Sequence, residues 1–242
     1  MNALRRFSRS ALPAIALWLL CAATAAAAGP LPAFDAQYNI RGFGFQIGDF
    51  RSTLLNNPDG NYRYETETRT TGFIAHFNKD VIRERSNWIW HNSMIRPLTY
   101  TYQRTGGKKE RAAKLNFNWA RGIVENTVDG ETWKMPIHDG VLDRLVVQLS
   151  MMLDLKGGKR DMEYTFADGG KLKSYRFRII GEERIETPSG VYDTVKLERV
   201  MDNDKRSTML WCAPKLHYLP VRIDQREKGD NFSMLLTKYN EH

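Results

Sequence analysis

The chain has 242 residues, with 36 Lys and Arg against 28 Asp and Glu, a formal charge of +8, 42% hydrophobic residues and two cysteines. That length and apolar content suit one sizeable core and exclude a disordered or collagen-like chain. The charge is interspersed and no face of Lys and Arg with interleaved aromatics stands out, so the sequence carries no nucleic-acid signature.

The front of the chain reads as a targeting segment. Arg5, Arg6 and Arg9 precede an apolar stretch from Ala11 to Cys21, and small residues from Ala22 to Ala28 follow. This is the three-part pattern of a secretory signal peptide with cleavage after Ala28, which predicts residues 1–28 as signal and 29–242 as one β-rich domain in the periplasm. Cys21 follows Leu20, where lipoprotein processing needs a small residue. Cleavage removes three arginines and no acids, which takes the formal charge from +8 to +5. Cys212 is then the single remaining cysteine, so no internal disulfide is available and the fold must stand on its core.

From Phe34 onward the chain alternates polar and apolar residues between short turn signals. Strands are predicted over Phe34 to Ile40, Asp49 to Leu55 and Tyr62 to Thr71, with Gly42, Gly44 and Gly48 marking a bend. Ile74 to Phe77, Lys79 to Trp90, Leu98 to Arg104, Lys109 to Trp119, Ile123 to Val128 and Thr132 to Met135 continue the series. After a central interruption come Asp161 to Phe166, Lys171 to Ile180, Glu183 to Glu186, Val191 to Val200, Lys205 to Trp211, Leu219 to Glu227 and Asn231 to Tyr239. Short turns between consecutive strands imply an antiparallel meander.

The interruption is MPIHDGVLDRLVVQLSMMLDL, Met135 to Leu155. Leu142, Leu145, Val146, Leu149, Met152 and Leu153 recur at spacings of three and four, which predicts an apolar helix capped by Asp139 and ended by Gly157-Gly158. The fold expected is mainly β: a strongly curved antiparallel meander sheet, a half-barrel or open barrel, with this one central helix packed on its concave face. A spanning helix is not expected, because the apolar run is short and broken by Asp143, Arg144 and Asp154. The strands are also too polar on both faces for an outer-membrane barrel.

Little in the sequence points to catalysis. No P-loop, dinucleotide fingerprint or nucleophile elbow is present, and the five histidines have no metal-ligand spacing beyond Cys212-x4-His217, so no metal and no cofactor are expected. Asp139 and Asp143, four apart, fit a helix N-terminus better than a catalytic pair. The remaining lead is aromatic. Trp88, Trp90, Trp211 and Tyr218, with Leu142, Leu145 and Leu149 of the helix, are the candidate lining of an apolar ligand site between sheet and helix.

Tyr175 to Val200, Leu210-Trp211-Cys212-Ala213-Pro214 and Tyr218-Leu219-Pro220-Val221-Arg222-Ile223, with the central Asp143-x-Leu145 segment, resemble the bacterial exported family called domain of unknown function 3108. That resemblance implies no activity and no catalytic residues. The architecture is more loosely similar to periplasmic lipoprotein carriers, which bind acyl chains. The leading expectation is therefore a non-enzymatic envelope protein taking a lipid or lipidated protein as partner and lying peripheral to the membrane. A protein-interaction module with a filled core is the alternative, and an enzyme of envelope polymers the third reading. A Trp- and Leu-lined cavity would favour the first, a packed interior the second, and buried polar groups converging in a cleft the third.

Overall fold

The computed structural model describes residues 30–57, 59–76, 79–107, 109–200, 206–227 and 229–242. The predicted signal segment and the turn around Asn203 lie outside them. Fifteen strands form a single sheet: β1 (Phe34–Gly42), β2 (Phe45–Asn56), β3 (Asn61–Thr70), β4 (Val81–His91), β5 (Met94–Thr105), β6 (Arg111–Asn118), β7 (Ile123–Val128), β8 (Glu131–Pro136), β9 (Leu142–Asp143), β10 (Asp161–Asp168), β11 (Lys171–Thr187), β12 (Gly190–Val200), β13 (Arg206–Ala213), β14 (Leu219–Glu227) and β15 (Asp230–Glu241). The order across the sheet runs from β8 back to β1, then from β15 back to β9. Every neighbouring pair is antiparallel except β9 with β10. The sheet is not closed: β8 and β9 are its two edges, and residues 137–141 join them.

Alternation explains why these stretches pair. Along β2 to β6, Ser52, Leu54, Tyr64, Thr66, Ser86, Trp88, Tyr100 and Leu115 are buried at every second position, while most of their neighbours are charged or polar. Such period-two patterning gives one dry face and one wet face. The bend expected at the glycines is present. The β1–β2 register shifts at Ile40/Arg41, and a Cβ on Gly48 would stand 2.7 Å from the carbonyl oxygen of Arg69, so only glycine lets β3 approach there.

One helix, α1 (Val147–Lys156), interrupts the strands. Val147, Leu149, Met151, Met152 and Leu155 are buried in the main apolar cluster together with Phe34, Leu54, Tyr64, Trp88, Phe166, Leu197 and Leu236. Its end is as predicted. Gly157 donates to the Leu153 carbonyl, and Gly158 adopts φ +85°. A second cluster, with Tyr100, Leu115, Phe117, Val124 and Ala167, joins β5 to β7 with β10. No helix among the described residues is long and apolar enough to cross a membrane.

Four expectations are corrected. The helix is shorter than predicted: Leu142 lies in β9, paired with Phe166, and Leu145 lies in the turn before α1. The reason is Asp143, whose carboxylate accepts the backbone N–H groups of Leu145 (2.9 Å) and Val146 (3.1 Å) and so holds the chain in a turn until residue 147. Asp139 caps nothing; it is exposed and paired with Arg96 at 2.7 Å. The described part of Ile74 to Phe77 belongs to a 3-10 turn, Gly72–His76, instead of a strand. Finally, β5 runs back through Pro97 to Met94. The β4–β5 register shifts between Asn87 and Trp88, and such an irregularity tolerates a proline with no N–H to give.

Candidate functional site

Six of the seven predicted ligand residues belong to the main apolar cluster or pack against it, and Trp90 alone stands outside it. Trp88 is fully buried and stacked on Tyr62 at 4.3 Å and 14°, and Leu149 and Leu142 are packed into the same cluster. Leu145 is half-buried and touches both clusters. Trp90 shares the parity of Trp88 but lies at the end of β4, 39% exposed. Trp211 faces the other way. Its cross-strand partners are Lys196 and Arg222, whose charged groups sit 4.8 and 4.7 Å from its ring centre, and its Nε1 donates to Glu183 at 2.9 Å. None of the grooves described below is lined by more than one of these residues. Trp211, although 5% exposed and part of the main cluster, alternates with Leu210 toward the side of Lys196 and Arg222.

What the sequence did not single out is a polar node inside the core. Ser86 on β4 donates to Asp143 Oδ2 at 2.5 Å, and both residues are completely buried. Burial pushes the Asp143 carboxyl up to about 7, against the hydrogen bonds from Ser86, Val146 and Leu145 that favour its charge. Beside it Glu84 accepts from Tyr100 Oη (2.5 Å) and from Arg144 Nη2 (2.6 Å). Burial and the Glu84 carboxylate hold the Tyr100 phenol far above its ordinary range. The legible signal was parity: Glu84 and Ser86 occupy core positions of β4, where a polar residue needs a partner. The node ties β4 and β5 to β9 and the turn before α1. Asp143 and Ser86 line none of the grooves described below and act as a structural clasp, while Glu84 also reaches the groove of about 860 Å³.

One surface depression holds about 860 Å³ and runs across β2 to β7. Arg51, Glu65, Glu67, Arg83, Arg85 and Lys114 line it, with Thr53, Thr101 and Thr127 between them. These residues have the parity opposite to Leu54, Tyr64, Trp88 and Leu115, which places their side chains on the wet face. The charges form cross-strand ladders: Arg51 with Asp35 at 2.7 Å, Arg83 with Glu67 at 2.7 Å and Arg85 with Glu65 at 2.6 Å. Burial and then the hydrogen bonds from Thr53 and Arg51 act in opposite senses on Asp35, and the bonds prevail, holding it below its ordinary value. Lys114 has no ion-pair partner among the described residues.

A smaller groove of about 500 Å³ lies at the C-terminal end of α1. Leu155, Ile179, Val195 and Tyr218 form its apolar part, and Lys159, Arg160 and Glu182 its polar part. Tyr218 is the one predicted ligand residue found lining a groove. Cys212 is fully buried, and burial raises its thiol well above the usual range, so it packs as a small apolar residue. His217 turns to Glu241, 3.1 Å away. Among the described residues no cluster of three or more His, Cys, Asp or Glu is arranged to hold a metal ion.

The fold is similar to solved structures. A beta-barrel-like protein of domain of unknown function DUF1849 from Brucella abortus superposes with a TM-score of 0.59 at 8% identity, covering 88% of this chain and 98% of that one. A candidate lipoprotein from Parabacteroides distasonis reaches a TM-score of 0.34 at 10% identity, over 87% of this chain and 98% of that one. At such identities the first likeness speaks for fold alone. No curated protein matches the sequence. The model of the family described as protein of unknown function (DUF3108) matches residues 34–237, nearly the whole of the strand series, and the chain belongs to that family.

Proposed function

We propose that this chain is an exported, non-enzymatic protein of the cell envelope, built as a curled sheet around α1, that engages partner macromolecules through its outer face. The observation that carries the reading is the contrast between a buried apolar cluster on one side of the sheet and a charged groove on the other. Trp88, Leu149, Phe166 and Leu197 are wholly buried, while the groove of about 860 Å³ lies on the opposite face of β2 to β7.

Curling is supported by chain length. A flat sheet of this strand number would separate its edges by about 65 Å. Residues 137–141 join those edges, and a link of that length reaches about 20 Å. The seam also makes contact. A Cβ on Gly170, in the β10–β11 turn, would lie 2.1 Å from Trp133 Nε1 on β8. With its amide oxygen facing both donors, Asn126 of β7 accepts from Trp133 Nε1 at 3.2 Å and from Gly170 N at 2.7 Å.

The groove fits an extended, polar segment of a partner that can exchange ion pairs with the ladders. Surface pairs of this kind contribute only about 0–1 kcal/mol each to stability, so they are available for recognition. Crosslinking in the intact envelope with a photoreactive residue at Thr101 tests the reading. Recovery of one defined partner, lost in a Lys114→Glu, Arg85→Glu variant that still folds, is expected. Uniform labelling of many proteins, unchanged in that variant, would sink it.

A second reading, an apolar ligand, keeps one specific support: the groove beside Leu155, Ile179, Val195 and Tyr218, with Lys159 and Arg160 at its polar side. Native mass spectrometry of protein purified gently from its envelope separates the two. A stoichiometric acyl species lost in Val195→Lys favours the ligand; an empty mass favours the partner.

A further inference from the structure

Among the described residues the three most exposed phenylalanines stand at one end of the sheet. Phe43 is 60% exposed, Phe45 44% and Phe73 70%. Phe43 and Phe45 belong to the β1–β2 hairpin tip, with ring centres 6.5 Å apart, and Phe43 rests edge-on against Phe232 of β15 at 5.7 Å. Phe73 sits on the 3-10 turn between β3 and β4, laid against the start of β2: Thr71 donates to the Ile47 carbonyl at 3.0 Å, and a Cβ on Gly72 would stand 3.0 Å from the Gln46 carbonyl. Two adjacent turns at one end of the sheet thus carry an aromatic cluster into solvent.

The backbone makes this cluster unusual. Phe43 and Gly44 both have positive φ, +54° and +85°. A two-residue hairpin turn of this hand favours Asn, Asp or Gly at its first position, and a bulky residue there is strained. The β7–β8 hairpin follows the rule, with Asp129 at φ +49° and Gly130 at +95°. The β1–β2 hairpin instead holds an exposed phenylalanine where the backbone disfavours it, and strain of that kind persists where a function needs the side chain.

Size and charge select the partner. The exposed parts of the three rings amount to about 350 Å², whereas a stable protein interface buries about 800 Å² on each side. Aromatic tips of the smaller size suit insertion into a lipid interface. Around them Arg41, Lys79 and Arg226 are exposed and have no ion-pair partner among the described residues. Asp49, engaged by Gln46 at 2.6 Å, and Asp230 are the neighbouring exposed acids. Cations therefore outnumber acids at the rim, which favours an anionic surface.

We propose that the β1–β2 tip, with Phe73 beside it, is an interfacial anchor that dips into an anionic lipid surface and orients the molecule on it. The test is flotation of the purified protein with vesicles of phosphatidylethanolamine and phosphatidylglycerol, and with vesicles of phosphatidylcholine alone. Wild type and variants carry the same N-terminus, verified by intact mass, so differences between them report the tip. Wild type is expected to bind the anionic vesicles more tightly, and Phe43→Asn, Phe45→Ser to weaken that binding by at least about tenfold. Phe43→Asn alone should lose binding while keeping or raising the melting temperature, because asparagine suits the turn. A Phe45→Trp variant should show a blue-shifted emission on the anionic vesicles. Equal binding by wild type and the double variant, an unshifted emission, or a wild type that floats with neither vesicle would overturn the proposal. So would a double variant whose main effect is to dissolve a dimer of this chain.

Discussion

Trp88 and Trp211 are both nearly excluded from solvent and both belong to the main apolar cluster, yet Trp211 alternates with Leu210 toward the charged side of the sheet and the two are held by different physics. Trp88 is surrounded by core side chains, stacked on Tyr62, with no hydrogen-bond partner for its Nε1. Trp211 is roofed by the side chains of Lys196 and Arg222 and bonded to Glu183. The carboxylates near them diverge in the same way. Asp143, bonded to Ser86 two residues before Trp88, is pushed up to about 7 by burial. Glu183, at the wet face, is held below its ordinary value by the hydrogen bonds from Trp211 and Lys196. A tryptophan in a strand of this protein therefore marks no ligand site by itself. Its neighbours across the sheet decide whether it is core or a platform for cations.

The sharpest way to break that contrast is Trp88→Ala. Removing a fully buried indole should cost about 3–5 kcal/mol in denaturant unfolding, through lost transfer free energy and the cavity left behind. A loss below about 1 kcal/mol would mean that the interior has space that side chains do not fill, and would revive the cavity reading.

Next comes Asp143→Asn. The folded carboxyl titrates above its unfolded value, so the folded state binds the proton more tightly. Its stabilising contribution is complete below about pH 4 and is lost as pH rises through about 7. Wild type should lose about 2–4 kcal/mol across that window, and the asparagine variant, which stays neutral, should lack that fall. Unfolding curves between pH 4 and 8 decide it. Parallel pH profiles for the two proteins would show that Asp143 is not the group responsible.

Trp211→Ala should be somewhat milder, about 2–4 kcal/mol, because the indole is buried but two cation–ring contacts and one hydrogen bond replace part of its apolar packing. Part of that cost should fade in high salt, which a core tryptophan would not show. An equal, salt-insensitive cost for both tryptophans would erase the distinction between the faces.

Much of this arrangement was legible in advance, and the reason is local. The strands of β1 to β3, the hairpin at Asp129-Gly130 and the Gly157-Gly158 stop follow from side-chain period and turn chemistry, which depend on near neighbours in the chain. The same holds for the family resemblance, since its quoted segments are contiguous strands and turns. The start of α1 was not legible. Leu142 and Leu145 have helical spacing, but Asp143 holds the N–H groups of Leu145 and Val146 in a turn and Leu142 pairs with the distant Phe166 of β10. How the predicted ligand residues are divided was not legible for a related reason. Grouping Trp88, Trp90, Trp211 and Tyr218 required knowing which face each strand presents after its register shifts at Asn87/Trp88 and Trp211/Cys212.

By itself, then, the sequence determined a long antiparallel series of strands with one apolar helix, because alternation and turn residues act over a few positions. Tertiary structure decided where the helix begins, which tryptophans are buried and where the grooves lie. Those outcomes hang on contacts between residues distant in the chain: the pairing of Leu142 with Phe166, the cross-strand partners of Trp211, and the joining of β8 to β9 by residues 137–141. The exposed Phe43 stands between the two. Its presence in a turn is plain from the chain, but only the packing shows that Phe45 and Phe73 share that end of the sheet and that no described segment covers them.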